Sequence, residues 1–335
     1  MQTALAAIFV FCLIIVVHEL GHFVVAKLTG VRVHEFAIGM GPKIFGIKKG
    51  ETVYTLRILP IGGYVKMEGE DEDSEDEKSF GKKSIGARIA IISAGAIMNF
   101  ILAIIVFTIY AYSMGVPTTT IKSVENNLPA QQAGIKKDDK IININDKKVE
   151  KWEDIKTIIG ESKGKEANVT VLRDNKKLNF KIKPIVDEKD KRLIIGITPT
   201  TEKSFIGALK SGVENVIFVL GMMIQFIAKL FQGNIGSNDI SGPVGIVYAV
   251  GEVAKSGWLS VLYLAGFISI NLGFFNLLPI PALDGGRLVF LFIELLRGKP
   301  INPEKEGFVH FIGLVLLLAL GVFVAYKDLI RFDIL

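Results

Sequence analysis

Val16-Val17-His18-Glu19-Leu20-Gly21-His22-Phe23 stands inside an apolar run, residues 3–26. Such a run is long enough to cross a bilayer, since about 20 residues at roughly 1.5 Å each span the hydrocarbon layer. On a helix, residues four apart share a face, so the imidazoles of His18 and His22 can reach one metal ion. Glu19 sits beside them, placed to take a proton from a water molecule. Three ionisable side chains in one span are costly unless they face a polar interior, so the cluster reads as functional. The run does not read as a signal peptide. It lacks a basic leader, and these three residues stand where a small-residue cleavage site would be expected.

Working outward, three further apolar runs of spanning length follow, at 87–112, 258–278 and 308–326. A shorter one, 216–228, has only about a dozen uncharged residues between Glu214 and Lys229, short of the roughly 20 required. It is expected to be an interfacial or partly buried helix, which leaves four spans; a fifth would put the two termini on opposite sides. The chain of 335 residues is 50% hydrophobic yet 22% charged, and the charges gather in 29–87 and 118–204, so it reads as a chain built for two solvents. The net charge of +5 comes from lysines scattered among acids, without a basic stripe, which argues against a nucleic-acid partner. Cys12 is the single cysteine, so no internal disulfide exists to mark a compartment.

Lys and Arg near span ends set orientation. Arg32, Lys43, Lys82 and Lys83 in the first polar segment, and Arg287, Arg297, Lys299 and Lys305 between the last two spans, place both loops in the cytoplasm. The segment between the second and third spans and both termini then face outside, against a weaker pull from Lys327 and Arg331. Residues 70–77 are a run of acids broken by one serine and are expected to form a solvated loop. Residues 52–66 alternate β-branched and polar side chains, suggesting strands beside the membrane. Segment 118–186 reads as β-rich, with strands at 121–124, 140–144, 168–173 and 178–182 and a short helix at 152–159. It holds no histidine and no cysteine, so it is expected to select substrates and to take no part in the chemistry.

A catalytic zinc generally takes three protein ligands and leaves a fourth position open. Beyond the two histidines, His34, His310 and Asp284 are available, the last within Asn276-Leu277-Leu278-Pro279-Ile280-Pro281-Ala282-Leu283-Asp284-Gly285-Gly286. By chemistry alone, Asp284 serves either as the third ligand or as the N-cap of a helix starting near Arg287.

These two motifs, Gly242-Pro243-Val244-Gly245 and the β-rich segment together resemble the site-2 protease family, the M50-type intramembrane zinc metalloproteases, in its bacterial sigma-factor-activating group. The resemblance covers nearly the whole chain. It implies Zn2+ held by His18, His22 and Asp284, Glu19 as general base, and substrate handling by Asn271 and Asn276. It also implies that 126–149 belongs to a single PDZ domain, a module that binds extended peptides by strand addition. The fold expected is a multi-pass α-helical membrane protein, with about four transmembrane helices, membrane-associated β-strands and an inserted PDZ domain. Its parts are 1–114 with the first two spans, 115–186 as the PDZ domain, 187–256 as linker strands and interfacial helix, and 257–335 with the last two spans.

A helical substrate hides its carbonyls in its own hydrogen bonds and must be extended before cleavage. The strands at 53–66, with Gly39 and Gly41 before them, are expected to accept it. The substrates implied are single-pass membrane proteins, such as anti-sigma factors or leftover signal peptides, in a bacterial plasma membrane, with the active site near the cytoplasmic side and the PDZ domain outside. Two rival readings fit less well. A non-catalytic PDZ scaffold with a structural metal has no need of Glu19, and a metal transporter would spread ionisable residues along several spans, whereas the second and fourth hold almost none.

Overall fold

In the computed structural model, residues 2–70, 74–187, 191–233 and 242–332 are described. Helix α1 (Gln2–Leu28) leads into a long ribbon of β1 (Val33–Lys49) and β2 (Thr52–Met67), and α2 (Ile85–Met114) follows. A β-rich part then runs through β3 (Val116–Val124), α3 (Pro129–Gln132), β4 (Lys140–Ile144), β5 (Lys147–Lys148), α4 (Trp152–Glu161), β6 (Ala167–Arg173), β7 (Lys176–Ile182), β8 (Ile185–Val186), β9 (Leu193–Ile194) and β10 (Ile197–Glu202). The chain ends in α5 (Phe205–Phe231), α6 (Pro243–Ala254), α7 (Trp258–Leu277), α8 (Asp284–Arg297) and α9 (Pro303–Arg331).

The chain divides into two compact units, 1–110 with 209–335 and 111–208. Five helices of the described residues, α1, α2, α5, α7 and α9, are long and apolar enough to cross a membrane. The expected run 216–228 thus lies inside a 27-residue helix, and the length argument against its spanning fails. Glu214 and Lys229, read in the sequence as its limits, lie within the helix because charge ends an apolar run but does not end a helix. Helix α9 keeps most of its Leu, Val and Phe side chains exposed, as a helix solvated by lipid does.

In the helical unit, α1 and α2 lie so close that a Cβ on Gly21 would fall 2.3 Å from the Ala94 carbonyl oxygen. Their apolar faces pack with α5, α6 and α7 around Val10, Ile14, Phe107 and Ile270. A second core, with Val31, Val33, Phe36, Ile91 and Leu288, joins the ends of these helices to the ribbon and α8.

The ribbon has four segments, because residues 35–38 pair in parallel register with 53–56 on one side and antiparallel with 63–66 on the other, while 43–49 pair antiparallel with 52–57. Gly39 and Gly41, both at positive φ, turn β1 between its two pairing stretches. Arg57 fixes the bend by donating to the Gly41 carbonyl at 2.7 Å and to Glu35 at 2.7 Å.

The β-rich unit has the sheet order β10-β3-β4-β6-β7, with β5 on β4, closed over a core of Ile121, Ile141, Trp152, Val169 and Ile182. The strand expectations hold to within a few residues, but the boundary at 186 does not. β10 pairs antiparallel with β3, so residues through Glu202 complete the sheet and the expected linker region begins too early. Asp139 is fully buried and takes Arg173 on both oxygens, at 2.6 and 2.7 Å. Burial alone would raise its carboxyl, but Arg173 and the Lys136 N–H outweigh this and hold it below the ordinary aspartate value.

The acidic loop is also less free than its composition suggested. Asp71, Glu72 and Asp73 lie outside the described residues, but Glu70 pairs with Arg287, Asp76 with Arg32 and Glu75 with Lys82. Cations from outside the block thus pair three acids of what reads locally as a run of like charge.

Candidate metal centre

His18 and His22 project from one face of α1, and Asp284 is the first residue of α8, after Leu283 in the N-cap position. The capping role open to Asp284 in the sequence is therefore not the one it takes. His18 Nε2 and His22 Nε2 are 3.2 Å apart, and Asp284 Oδ2 is 3.3 Å from the first and 3.5 Å from the second. A tetrahedral ion with ligands at roughly 2.0–2.1 Å has donor-to-donor edges of about 3.3–3.4 Å. The triangle therefore has the size of one face of a zinc coordination sphere, and the imidazole and carboxylate donors suit that ion. Asp284 Oδ2 is buried with no hydrogen-bond donor, as a ligand oxygen aimed at a cation would be.

Each histidine has its other ring nitrogen against α2. His22 Nδ1 lies 2.9 Å from the Ile91 carbonyl oxygen, and His18 Nδ1 lies 3.2 Å from the Asn99 carboxamide. A ligating histidine generally donates from its far nitrogen, and this fixes the ring and its tautomer. The approach is close because position 95 is glycine. A Cβ there would lie 2.4 Å from His22 Nε2 and 2.8 Å from His18 Nε2, against two corners of the donor triangle.

The loop before Asp284 is held by backbone packing. Cβ atoms on Gly285 and Gly286 would strike the carbonyl oxygens of Leu278 and Ile280 at 2.0 and 2.6 Å. Ala282 adopts φ 76°, a strained conformation for a residue with a side chain, and its N–H donates to His310 Nδ1 at 3.0 Å. His310, available in the sequence as a third ligand, instead secures the loop that carries Asp284. His34 pairs with Glu68 at 2.5 Å and does not join the cluster. Farther along α8, Glu294 grips Arg88 through two contacts, at 3.0 and 2.5 Å.

Asn276 Nδ2 stands 3.5 Å from His18 Nε2, at the edge of the donor triangle. Asn271 instead donates to the Phe267 carbonyl of its own helix. Gly39 and Gly41 belong to the bend of β1, whereas a Cβ on Gly63 would lie 3.1 Å from Glu19 Cγ, so the ribbon meets α1 at 63. Asn99, Gly95 and Gly63 were the residues missed in the sequence. Of these, only Asn99 carried a signal, as a lone amide in an apolar span.

Apolar helices of spanning length around a triangle of two buried histidines and a half-buried aspartate, with an adjacent glutamate, are the arrangement a membrane metallopeptidase requires. The sequence profile of peptidase family M50 matches residues 6–320, and the chain belongs to that family. A Clostridium acetobutylicum protein is 41% identical over 327 residues, 97% of this chain and 96% of that one. The regulator of sigma-W protease RasP of Bacillus subtilis is 36% identical over 98% of this chain and 99% of its own length. The zinc metalloprotease RasP of Bacillus licheniformis is 34% identical over 99% of each. This chain is accordingly a zinc metalloprotease of the site-2 type.

Proposed function

We propose that the chain hydrolyses peptide bonds within membrane-embedded segments of single-pass proteins, with His18, His22 and Asp284 holding zinc and Glu19 acting as general base. The observation that carries this reading is the donor triangle of tetrahedral size beside a glutamate, inside helices of spanning length. Zinc bound there would polarise the scissile carbonyl and acidify the attacking water. Glu19 takes the proton of that water and returns it to the leaving amine. Anti-sigma factors and remnant signal peptides are the substrate classes favoured, the first because the B. subtilis relative is a regulator of sigma-W protease.

The substrate must be extended to be cut, and the ribbon offers a place for it. Among the described residues, 63–66 pair on one side only, with 35–38, and Gly63 lies against Glu19. An extended substrate adding to this edge runs past the general base, with Asn276 on the far side of His18. Apolar Met40, Ile44, Phe45, Ile58 and Leu59 are exposed on the same ribbon, which suits contact with lipid.

Helices α1, α2, α7 and α9 are proposed as the spans, with α5 lying along the interface despite its length. Asp328, late in α9, accepts hydrogen bonds from Gly242 and Gly245 at the start of α6. A Cβ on Gly251 would touch Thr3, and Trp258 packs on Phe9. These contacts gather α6 at the end of the bundle where α1 begins. Gly212, early in α5, lies against Thr108, at that same end. An interfacial α5 joins the two points without a crossing.

Residues 29–87 then face the cytoplasm and the β-rich unit faces outside. Single cysteines at Ser74 and Asn175, in a Cys12→Ser background, are expected to react with a membrane-impermeant reagent in intact cells at 175 alone. Labelling at 74 would reverse the orientation. The activity itself is tested by comparing membrane-derived peptides from cells carrying the native chain and Glu19→Ala. Accumulation of intact single-pass segments in the variant is the expected result, and identical peptide sets would refute the assignment.

A further inference from the structure

The outer partner of His22 is a backbone carbonyl, which no substitution can remove, but that of His18 is a side chain. Asn99 is fully buried, and its surroundings are tight. Ser269 donates to its backbone carbonyl at 2.9 Å, and a Cβ on Gly273 would stand 3.3 Å from Asn99 Cβ. The carboxamide nitrogen faces His18 Nδ1 at 3.2 Å while Oδ1 is buried with no donor. In that arrangement Nδ1 must accept, so the ring proton sits on Nε2, between Asp284 and His22, where it blocks ligation. A half-turn of the carboxamide resolves both problems. Oδ1 then meets an Nδ1–H, and the Nε2 lone pair faces the donor triangle.

From the apposition of His18 Nδ1 and a buried, unpartnered amide oxygen on α2, we propose that Asn99 is a positioning residue that selects the metal-binding tautomer of His18. The inference rests on the reading of His18, His22 and Asp284 as zinc ligands. A buried amide in an apolar helix costs stability unless it is satisfied, so its presence at the outer nitrogen of His18 is explained by the metal-bound state. Asn99 touches neither substrate nor metal; it acts through the imidazole.

The test is zinc affinity of the purified full-length protein in detergent, measured by chelator competition, together with the melting temperature of the metal-free form. Asn99→Leu keeps the volume and removes the acceptor. It is expected to bind zinc about 10–100-fold more weakly, the usual cost of losing an outer partner, with no fall in metal-free melting temperature. Asn99→Asp restores an acceptor at the same place and is expected to recover most of the affinity. Wild-type affinity in Asn99→Leu, with zinc lost in His18→Ala, would overturn the role of Asn99 and leave the metal site standing. Loss of zinc in both position-99 variants with a lowered melting temperature would reduce Asn99 to packing and also overturn it. Zinc retained by His18→Ala would remove the underlying assignment instead.

Discussion

Purified in detergent, the chain is expected to hold about one zinc ion, and His18→Ala, His22→Ala and Asp284→Ala are each expected to lose most of it. Three protein ligands define such a site, and among the described residues His18, His22 and Asp284 alone form a cluster of that size, with edges of 3.2, 3.3 and 3.5 Å. Affinity should fall by more than the roughly 10–100-fold that follows loss of an outer partner. Glu19→Ala separates binding from chemistry, because Glu19 is no part of the triangle. It should keep its zinc and lose about 10²–10⁴-fold in cleavage rate, the usual contribution of a general base. Elemental analysis and cleavage of a reconstituted single-pass substrate check both halves. Full zinc content in Asp284→Ala would remove that residue from the ligand set, and His310 would be the next donor to test.

Gly95→Ala is expected to abolish zinc binding without altering any ligand. The added methyl would stand 2.4 Å from His22 Nε2 and 2.6 Å from His18 Cε1, so either both rings leave their positions or α2 backs away from α1. The second escape is costly because Gly21 on α1 already meets the Ala94 carbonyl. Helix propensity predicts the opposite sign, since alanine in a helix interior is favoured over glycine by roughly 0.5–1 kcal/mol. Gly86→Ala, in the first turn of the same helix with open space around it, isolates that term. It should retain zinc and melt no lower than the native chain. Retention of zinc by Gly95→Ala would show that α1 and α2 can separate without cost to the site.

The local signals in the chain carried far. His18 and His22 announced a shared helical face, and Asp284-Gly285-Gly286 announced a polar group in an apolar context. Four of the helices of spanning length were legible from hydropathy because lipid imposes a length on them, and the strands at 140–144 and 168–173 were legible from their turns. The fifth, α5, was underestimated because Glu214 and Lys229 interrupt hydropathy while leaving the backbone helical.

The pairing between distant segments was not legible. The end of the β-rich unit depends on β10 returning to β3, a contact between residues about eighty apart that no local pattern encodes. The approach of Gly63 to Glu19 was hidden for the same reason. Gly39 and Gly41 stand out in the sequence as breaks in a strand pattern, whereas the place of Gly63 depends on the folding of β2 back across β1.

Residue type and helical spacing, which are local properties, were enough to show which side chains can bind a metal, which can take a proton, and that they stand in an apolar run. How the centre is held came from the folded chain. The contact of His18 with Asn99, the room made by Gly95 and the anchoring of Ala282 by His310 each join segments that are apart in sequence. Their physical reason is close packing, in which a position acquires its role from the atoms of another element that arrive beside it.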